Sequence, residues 1–387
     1  AESMAALENR PLIYLTSSKT SKEQTALQAL KDHPVDEGLI CILSVVECCQ
    51  TLQPKKHDNG RLSLDTVNRK CKYFYFYFLD KHLGFMHVKL QTWFPFLIQV
   101  YINGREMMKH VFEESGISYQ MYDNSFIEIS DIPKAQELAD RFDSKSLCRQ
   151  LDFFARKVNP YLDTIERTFH QGYHWCVHQC EYATDVMFKS REALEDIYPS
   201  LVGHAFYGFH CTDVFSFLGR KLHHKFQGEA VSDYRKRPEG WRIKFKMKSN
   251  SIKMYDKFSC LRIEMTINDP KEFKVYKDVH HEDGTISRRW VPMGKSISNL
   301  YRYAEISKAA NKRFLNSMQD IIPAKTIERE INRICSRKKV KERTYSGYNV
   351  WAEDTTLLFE TISDGKYLIR GFTNREIRHS IVKGDPD

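Results

Sequence analysis

The stretch that decides the fold runs from residue 241 to residue 267 and reads WRIKFKMKSNSIKMYDKFSCLRIEMTI. Apolar and polar residues alternate through it at a period of two, which is typical of strands that bury one face. We predict strands over 241–247, 252–257 and 261–267, and the last two form a hairpin. Together they make an antiparallel sheet with one apolar face and one polar face.

The polar face of the predicted hairpin presents side chains that could take part in a reaction. Lys253, Tyr255 and Lys257 alternate on the first strand, and Arg262 and Glu264 alternate on the second. A tyrosine can attack a phosphodiester when nearby cations stabilise the charge of the phosphoryl group. The tyrosine is then a candidate nucleophile, and the two lysines and the arginine are candidate stabilising cations. The alternative is a network of ion pairs across a half-exposed sheet, in which the tyrosine is merely amphipathic.

An earlier strand, predicted over 173–188, adds carboxylates. Its alternation places Glu181 and Asp185 on one face. Carboxylate oxygens are the ligands that Mg²⁺ prefers in proteins. We therefore expect Glu181, Asp185 and Glu264 to hold Mg²⁺ or Mn²⁺.

The positive charge of the chain is concentrated beside these strands. The 387 residues have a formal net charge of +9, and residues 219–257 hold twelve Lys or Arg against four Asp or Glu. Four cations alternate with apolar residues at the period of a strand: Arg242, Lys244, Lys246 and Lys248. Cations at this spacing suit the phosphates of a nucleic acid. The alternative is a solvated edge strand whose lysines oppose aggregation.

The remaining segments indicate an α+β protein with mixed or antiparallel sheets and flanking helices. Strands are predicted over 39–46, 73–79, 85–93 and 96–102, a hairpin around 121–125, and helices over 105–114, 132–142, 145–168, 190–203, within 296–334 and over 353–362. We divide the chain into an N-terminal α+β domain (4–145), a nuclease-like α+β domain with the basic strand (146–319), a basic helix or linker (320–346) and a C-terminal module (347–387). Residues 1–3 resemble a cloning scar.

The composition excludes a membrane-spanning helix, because no run of 18 apolar residues exists. Ten cysteines lie scattered through a long chain, which favours reduced thiols and a cytoplasmic location. Neither a Gly-rich phosphate loop nor a nucleophile-elbow serine is present, so ATP-driven chemistry is not expected.

The order of these motifs resembles the core of rolling-circle replication initiators of plasmids and filamentous phage. Those proteins have a strand with a hydrophobic-x-Tyr-x-Lys pattern, here Met254 to Lys257, followed by an Arg-x-Glu strand, here Arg262 to Glu264. The resemblance covers about 100 of the 387 residues. It implies that Tyr255 nicks one DNA strand and forms a 5′-phosphotyrosine, with the carboxylates holding the metal. The His-hydrophobic-His motif of the relaxase branch is not present.

The whole chain also resembles a group of uncharacterised bacterial proteins. They share the sequences QTWFPF, EYATDVMF and SIKMYDK, which begin here at Gln91, Glu181 and Ser251. Members of the group continue past the segment that corresponds to residues 371–377 into a winged-helix-like segment. We therefore expect residues 347–387 to be a small helical module and part of a truncated winged helix.

The sequence predicts a metal-dependent protein of a mobile element that nicks DNA and transfers the strand through a tyrosine, acting on single-stranded or hairpin DNA. One alternative is a protein that binds DNA or structured RNA without catalysis. Another is a nuclease that uses the metal to activate water. Covalent protein–DNA adducts would support the first function only.

Overall fold

The computed structural model describes residues 1–141, 144–170, 172–220, 229–237, 240–282, 284–319, 324–367 and 371–381. It confirms a mixture of helices and largely antiparallel sheets. The contacts within the chain define two compact units. Unit 1 comprises Ala1–Leu194 and Cys211–Phe314, and unit 2 comprises Glu195–His210 and Leu315–Asp387. None of the helices in the described residues has the length and apolar character that a membrane crossing needs.

The strands follow the alternating segments of the sequence. Their bounds are β1 Leu12–Tyr14, β2 Gly38–Lys56, β3 Leu62–Asp80, β4 Gly84–Gln91, β5 Ile98–Tyr101, β6 Tyr119–Tyr122, β7 Ser125–Ile129, β8 Cys180–Met187, β9 Ala230–Arg237, β10 Gly240–Met247, β11 Asn250–Lys257, β12 Cys260–Ile267, β13 Lys274–His280, β14 Ile286–Pro292, β15 Lys338–Val340 and β16 Arg343–Tyr345.

The helices lie mainly between and after the sheets. Their bounds are α1 Glu2–Leu7, α2 Lys22–Asp32, α3 Gly104–Glu114, α4 Ile132–Asp140, α5 Ser144–Val158, α6 Leu162–Phe169, α7 Arg191–Gly208, α8 Cys211–Phe217, α9 Leu300–Asn316, α10 Ala324–Cys335, α11 Glu353–Ile362 and α12 Asn374–Ile381. The helix predicted over 145–168 is two helices, α5 and α6. Pro160 lies between them, and proline cannot donate the backbone hydrogen bond that a continuous helix needs.

The first sheet of unit 1 has the strand order β1-β2-β3-β4-β5 and is buried on both faces. Tyr73, Tyr75 and Tyr77 pack on the side of α2, whereas Phe76 and Phe78 pack on the side of α5. Burial on both faces explains why β3 is aromatic at nearly every position in this part. The predicted strand over 39–46 lies within β2, which continues for ten residues beyond it.

The second sheet of unit 1 has the order β8-β12-β11-β10-β9 and is antiparallel throughout. Its apolar face packs against α9, where the rings of Phe245 and Phe314 lie 6.0 Å apart. The Asn311 side-chain amide donates to the carbonyls of Tyr182 and Ile263, at 3.1 and 3.2 Å. The helix thus covers one face, and the three predicted strands lie side by side as expected.

One strand of this sheet is shorter than the sequence predicts. The prediction ran over 173–188, but β8 spans only Cys180–Met187. Before it, the chain forms a single isolated bridge, between Cys176 and Ser296. Residues 173–179 alternate in polarity but have no continuous neighbouring strand with which to pair.

Unit 2 contains α10, the β15–β16 hairpin, α11 and α12. Thr373 and Glu376 have the spacing of a capping box, and the structure confirms one at the start of α12. The Glu376 backbone N–H donates to Thr373 Oγ1 at 3.3 Å, and the Thr373 N–H donates to Glu376 Oε2 at 2.7 Å. The winged-helix-like character of this module stays a prediction, as do the domain boundaries at 145, 319 and 346.

Candidate functional site

The candidate site is the polar face of the second sheet. Strand pairing aligns its side chains in three rows across β10, β11, β12 and β8. The first row is Arg242, Tyr255, Arg262 and Asp185; the second is Lys244, Lys253, Glu264 and Ala183; the third is Lys246, Ser251, Thr266 and Glu181. Partners directly opposite in an antiparallel pair point to the same side. Nearly all the residues predicted from the sequence therefore meet on one surface, which we call the polar face.

Lys253 lies at the centre of the polar face and is buried. Its ammonium contacts Glu264 Oε1 at 2.6 Å and Glu181 Oε1 at 3.4 Å. Burial acts to lower the pKa of Lys253. The neighbouring Glu264 raises this pKa by more than burial lowers it, so the net shift is upward. Lys253 is therefore a firmly protonated cation between two carboxylates.

Asp185 and Arg262 form a buried ion pair at one end of the first row. The Arg262 guanidinium, which is 2 % exposed, donates to the two Asp185 oxygens at 2.9 and 3.1 Å. Arg105, from the start of α3, donates to the same carboxylate at 2.7 Å. Burial would raise the pKa of Asp185, but the two guanidinium groups lower it. The Asn124 side chain and carbonyl accept two further Arg262 hydrogen bonds, at 2.9 and 3.1 Å.

Tyr255 is half-buried between Arg242 and Arg262 in the first row. Burial and then Glu264 raise the pKa of its phenol more than Lys253 and Arg242 lower it, so the net shift is upward. The phenol is thus protonated at neutral pH and needs a base in order to act as a nucleophile.

Lys257 lies at the hairpin end of β11 and is engaged elsewhere. Its ammonium contacts Asp123 Oδ2 at 2.7 Å and lies 5.7 Å from the centre of the Tyr255 ring. Asp123 belongs to the β6–β7 turn, so Lys257 joins that hairpin to the sheet. The predicted catalytic role of Lys257 has weaker geometric support than that of Lys253.

The cationic side of the polar face lies on β10. Arg242 is buried and donates to Asp233 at 3.0 Å, while its Nε has no hydrogen-bond partner within the described residues. Lys244 forms no ion pair with the carboxylates of the described residues. Burial and the adjacent Lys253, Arg242 and Lys246 lower its pKa. Crowded cations that lower one another's affinity for a proton also attract an anion.

Lys248 does not belong to this row. Strand β10 ends at Met247, and Lys248 lies in the turn that follows, with a φ of 51°. Its ammonium contacts Glu272 at 2.7 Å. The prediction of four cations along one strand face is therefore wrong at its last position and holds for the other three.

The three predicted metal ligands do not surround one point. Glu181 and Asp185 are four positions apart on one strand, which is about 13 Å. The Asp185 oxygens bind two guanidinium groups, and the described residues contain no cluster of three metal-ligating side chains. This arrangement does not fit a three-carboxylate centre. Binding of Mg²⁺ or Mn²⁺ stays a prediction. The candidate ligands narrow to Glu181 and Glu264, which both contact the Lys253 ammonium.

Sequence reasoning missed the partners that hold the polar face in place. Arg105, Asp123 and Asn124 come from α3 and the β6–β7 turn, far from β12 along the chain. Only the turn residues gave a signal, as part of the predicted hairpin. Two other polar residues, Glu47 on β2 and His87 on β4, belong to the first sheet and not to the polar face. Glu47 binds Lys22 and Lys89, and His87 is a half-buried ring stacked on Tyr101 at 5.1 Å.

Comparison with known proteins adds no assignment. No protein-family model, no curated protein and no solved structure matches this chain.

Proposed function

We propose that the polar face binds the phosphate backbone of DNA and that Tyr255 cleaves one strand there by forming a phosphotyrosine bond. The supporting observation is the position of the Tyr255 phenol, in one row between two arginines and beside the row that contains Lys244 and Lys253. A phosphodiester over these rows would have cations on three sides and a hydroxyl nucleophile beneath it. The resemblance to replication initiators implies the same nucleophile, Tyr255.

The proposed reaction uses the Lys253–Glu264 pair to move protons. The Tyr255 oxygen attacks the phosphorus, and its proton passes to the Glu264 carboxylate, which is needed because the pKa of the phenol is raised. The bond from phosphorus to the 3′ oxygen breaks, and Lys253 supplies the proton to that leaving oxygen. Proton transfer across the 2.6 Å contact then restores the ion pair. Arg242 and Arg262 act by charge alone.

The proposed steps do not pass through a metal ion. Mg²⁺ or Mn²⁺ held by Glu181 and Glu264 would add positive charge near the phosphate, and it would have to displace the Lys253 ammonium. We therefore expect chelation of divalent cations to slow the reaction by less than the loss of Tyr255 does.

The test uses hairpin and single-stranded DNA labelled at the 3′ end, because a 5′-phosphotyrosine retains the 3′ fragment on the protein. Denaturing gels should show a labelled protein band for the wild type and none for Tyr255→Phe, with DNA binding unchanged. Tyr234→Phe is the matched control, since Tyr234 lies on β9 and stacks on Trp241 at 4.9 Å, away from the polar face. Equal adduct yields from wild type and Tyr255→Phe would reject the assignment.

A second candidate function is DNA or RNA binding without cleavage. It is favoured by the raised pKa of Tyr255 and by the ion pairs that already engage Lys253 and Arg262. This function predicts no adduct and no cleavage in the wild type. Its binding would weaken when Lys244 and Lys246 are neutralised and would not change in Tyr255→Phe.

A further inference from the structure

Strands β2 and β3 continue together well past the rest of the first sheet. Their pairing runs from Cys48 opposite Lys70 to Lys56 opposite Leu62, whereas β4 pairs with β3 only from Tyr73 onward. We call residues 48–70 the arm. Eight residue steps at strand spacing extend it by about 27 Å. Most of its side chains are exposed, so it contributes little to the core.

The arm has an excess of positive charge. Its basic residues are Lys55, Lys56, Arg61, Arg69 and Lys70, and its acidic residues are Asp58 and Asp65. Lys56, Arg61 and Lys70 form no ion pair within the described residues. They are spread from the tip to the base of the arm. A two-stranded ribbon fits the major groove of a duplex, and a duplex repeats over a distance similar to the length of the arm.

An exposed aromatic surface lies at the base of the arm. The loop 93–97 exposes Trp93 by 48 %, Phe94 by 50 % and Phe96 by 36 %. We call these three rings the platform. The sequence favours exposure of Trp93, because Pro95 breaks the strand pattern just after it, and the structure confirms this exposure. Exposed aromatic rings can stack on the unpaired bases of a nucleic acid.

The backbone of the platform is held by polar side chains that are mostly buried. Thr51 Oγ1 donates to the Phe94 carbonyl at 2.6 Å, and the Gln91 side-chain amide donates to the Trp93 carbonyl at 3.0 Å. The Tyr173 hydroxyl donates to the Phe96 carbonyl at 2.7 Å. Fixing the loop in advance lowers the entropy that a ligand would have to supply on binding. The loop is thus rigid where it joins the protein and apolar where it faces solvent.

The platform also connects to the polar face. Strand β5, Ile98–Tyr101, follows it directly and covers about 10 Å. Arg105, four residues beyond the end of β5, donates to Asp185 on the polar face at 2.7 Å. A strand of nucleic acid that left the platform along β5 would approach the polar face.

We propose that the arm and the platform together bind a junction between duplex and single-stranded nucleic acid, with the arm along the duplex groove and the platform stacked on the first unpaired bases. This rests on the proposed function in one respect, since it supplies the substrate class from which a single strand would reach Tyr255. The charge of the arm favours a nucleic acid over a second copy of this basic chain.

The test measures fluorescence anisotropy with a blunt duplex, the same duplex with a single-stranded extension, and the extension alone. Wild-type protein should bind the extended duplex most tightly. The double variant Trp93→Ala with Phe94→Ala should bind the extended duplex at least about tenfold more weakly than the wild type. Its affinity for the blunt duplex should change little. Lys56→Ala, Arg61→Ala and Lys70→Ala together should flatten the salt slope for both duplexes by about 2.7, at about 0.9 per lost phosphate contact.

Matched controls separate these effects from general changes in charge or apolar surface. Lys19, Lys31 and Lys81 are exposed lysines outside the arm, and Phe153 and Tyr161 are exposed rings outside the platform. Their alanine variants should bind all three probes as the wild type does. Thermal unfolding of every variant checks that the fold is kept, which we expect because the arm cations have no partner to lose.

Three outcomes would overturn the proposal. The first is equal wild-type affinity for the blunt and the extended duplex, and the second is unchanged binding in the platform and arm variants. The third is a dimer, seen by sedimentation, that the platform variant dissociates without changing DNA binding. If the platform variant loses the wild-type preference for the extended duplex, but the wild type forms no Tyr255 adduct, the junction proposal is upheld and the tyrosine chemistry is rejected. If Tyr255 adducts form equally in both proteins and the platform variant binds the extended duplex as the wild type does, the tyrosine chemistry is upheld and the junction proposal is rejected.

Discussion

Replacement of Asp185 by alanine should destabilise unit 1 strongly. The substitution leaves Arg262, which is 2 % exposed, without the carboxylate that it contacts at 2.9 and 3.1 Å. Removing one partner of a buried ion pair costs about 3–5 kcal/mol. Arg105→Ala removes the more exposed partner of the same carboxylate, at 24 % side-chain exposure, and should cost about 1 kcal/mol or less.

The loss of stability can be measured by urea unfolding that is monitored through amide hydrogen exchange at β12. This strand reports on unit 1 because it lies next to β8. The double variant Asp185→Ala with Arg262→Met should lose less stability than the sum of the two single variants, since no unpaired buried charge remains. A loss below about 1 kcal/mol in Asp185→Ala would contradict the reasoning and show that Asp185 is not needed to neutralise Arg262.

Three further predictions concern pH and salt. Burial would raise the pKa of Glu47, but its bonds to two lysines lower it to about 2, against about 4.3 when unfolded. The stability that Glu47 contributes is therefore present above about pH 4.3 and is lost toward pH 2. In Glu47→Gln, the free energy of unfolding should fall less steeply as the pH is lowered through this range. Burial and then Lys89 lower the pKa of His87 to about 4, against about 6.5 when unfolded, so stability should fall as pH drops from 6.5 toward 4; His87→Phe should flatten this slope, and an unchanged slope would show that the ring is solvated. Neutralising Lys244 and Lys246 together should lower the salt slope of DNA binding by about 1.4–1.8; an unchanged slope would mean that these lysines contact no phosphate.

The arrangement within the second sheet could be predicted because its strands alternate strictly. Period two places Tyr255, Arg262 and Glu264 on one face whatever the rest of the chain does. Lys248 was misplaced because alternation continues into the turn, where the left-handed backbone ends the strand. No local pattern marks the point at which an alternating segment stops pairing.

The partners of the site could not be predicted, since they depend on tertiary packing. Arg105 and Asn124 reach the polar face from elements that precede β12 by more than a hundred residues. The arm escaped prediction for a different reason. Its strands are mostly exposed on both faces, so residues 48–70 contain only one short alternation, over 62–65, to mark them as strand. Its aromatic neighbour, Trp93, was recognisable because Pro95 interrupts the strand pattern beside it.

The central claim is that Tyr255 bonds to the phosphate of a DNA strand, and mass spectrometry of the adduct tests it most directly. Protein incubated with hairpin or single-stranded DNA would be digested with nuclease and then with trypsin, which releases the peptide from Met254 to Lys257. We predict that this peptide gains the mass of a nucleotide, with the phosphate on the Tyr255 oxygen. A nucleotide on Tyr182, Tyr234 or Tyr276, or cleaved DNA without any modified peptide, would contradict the claim.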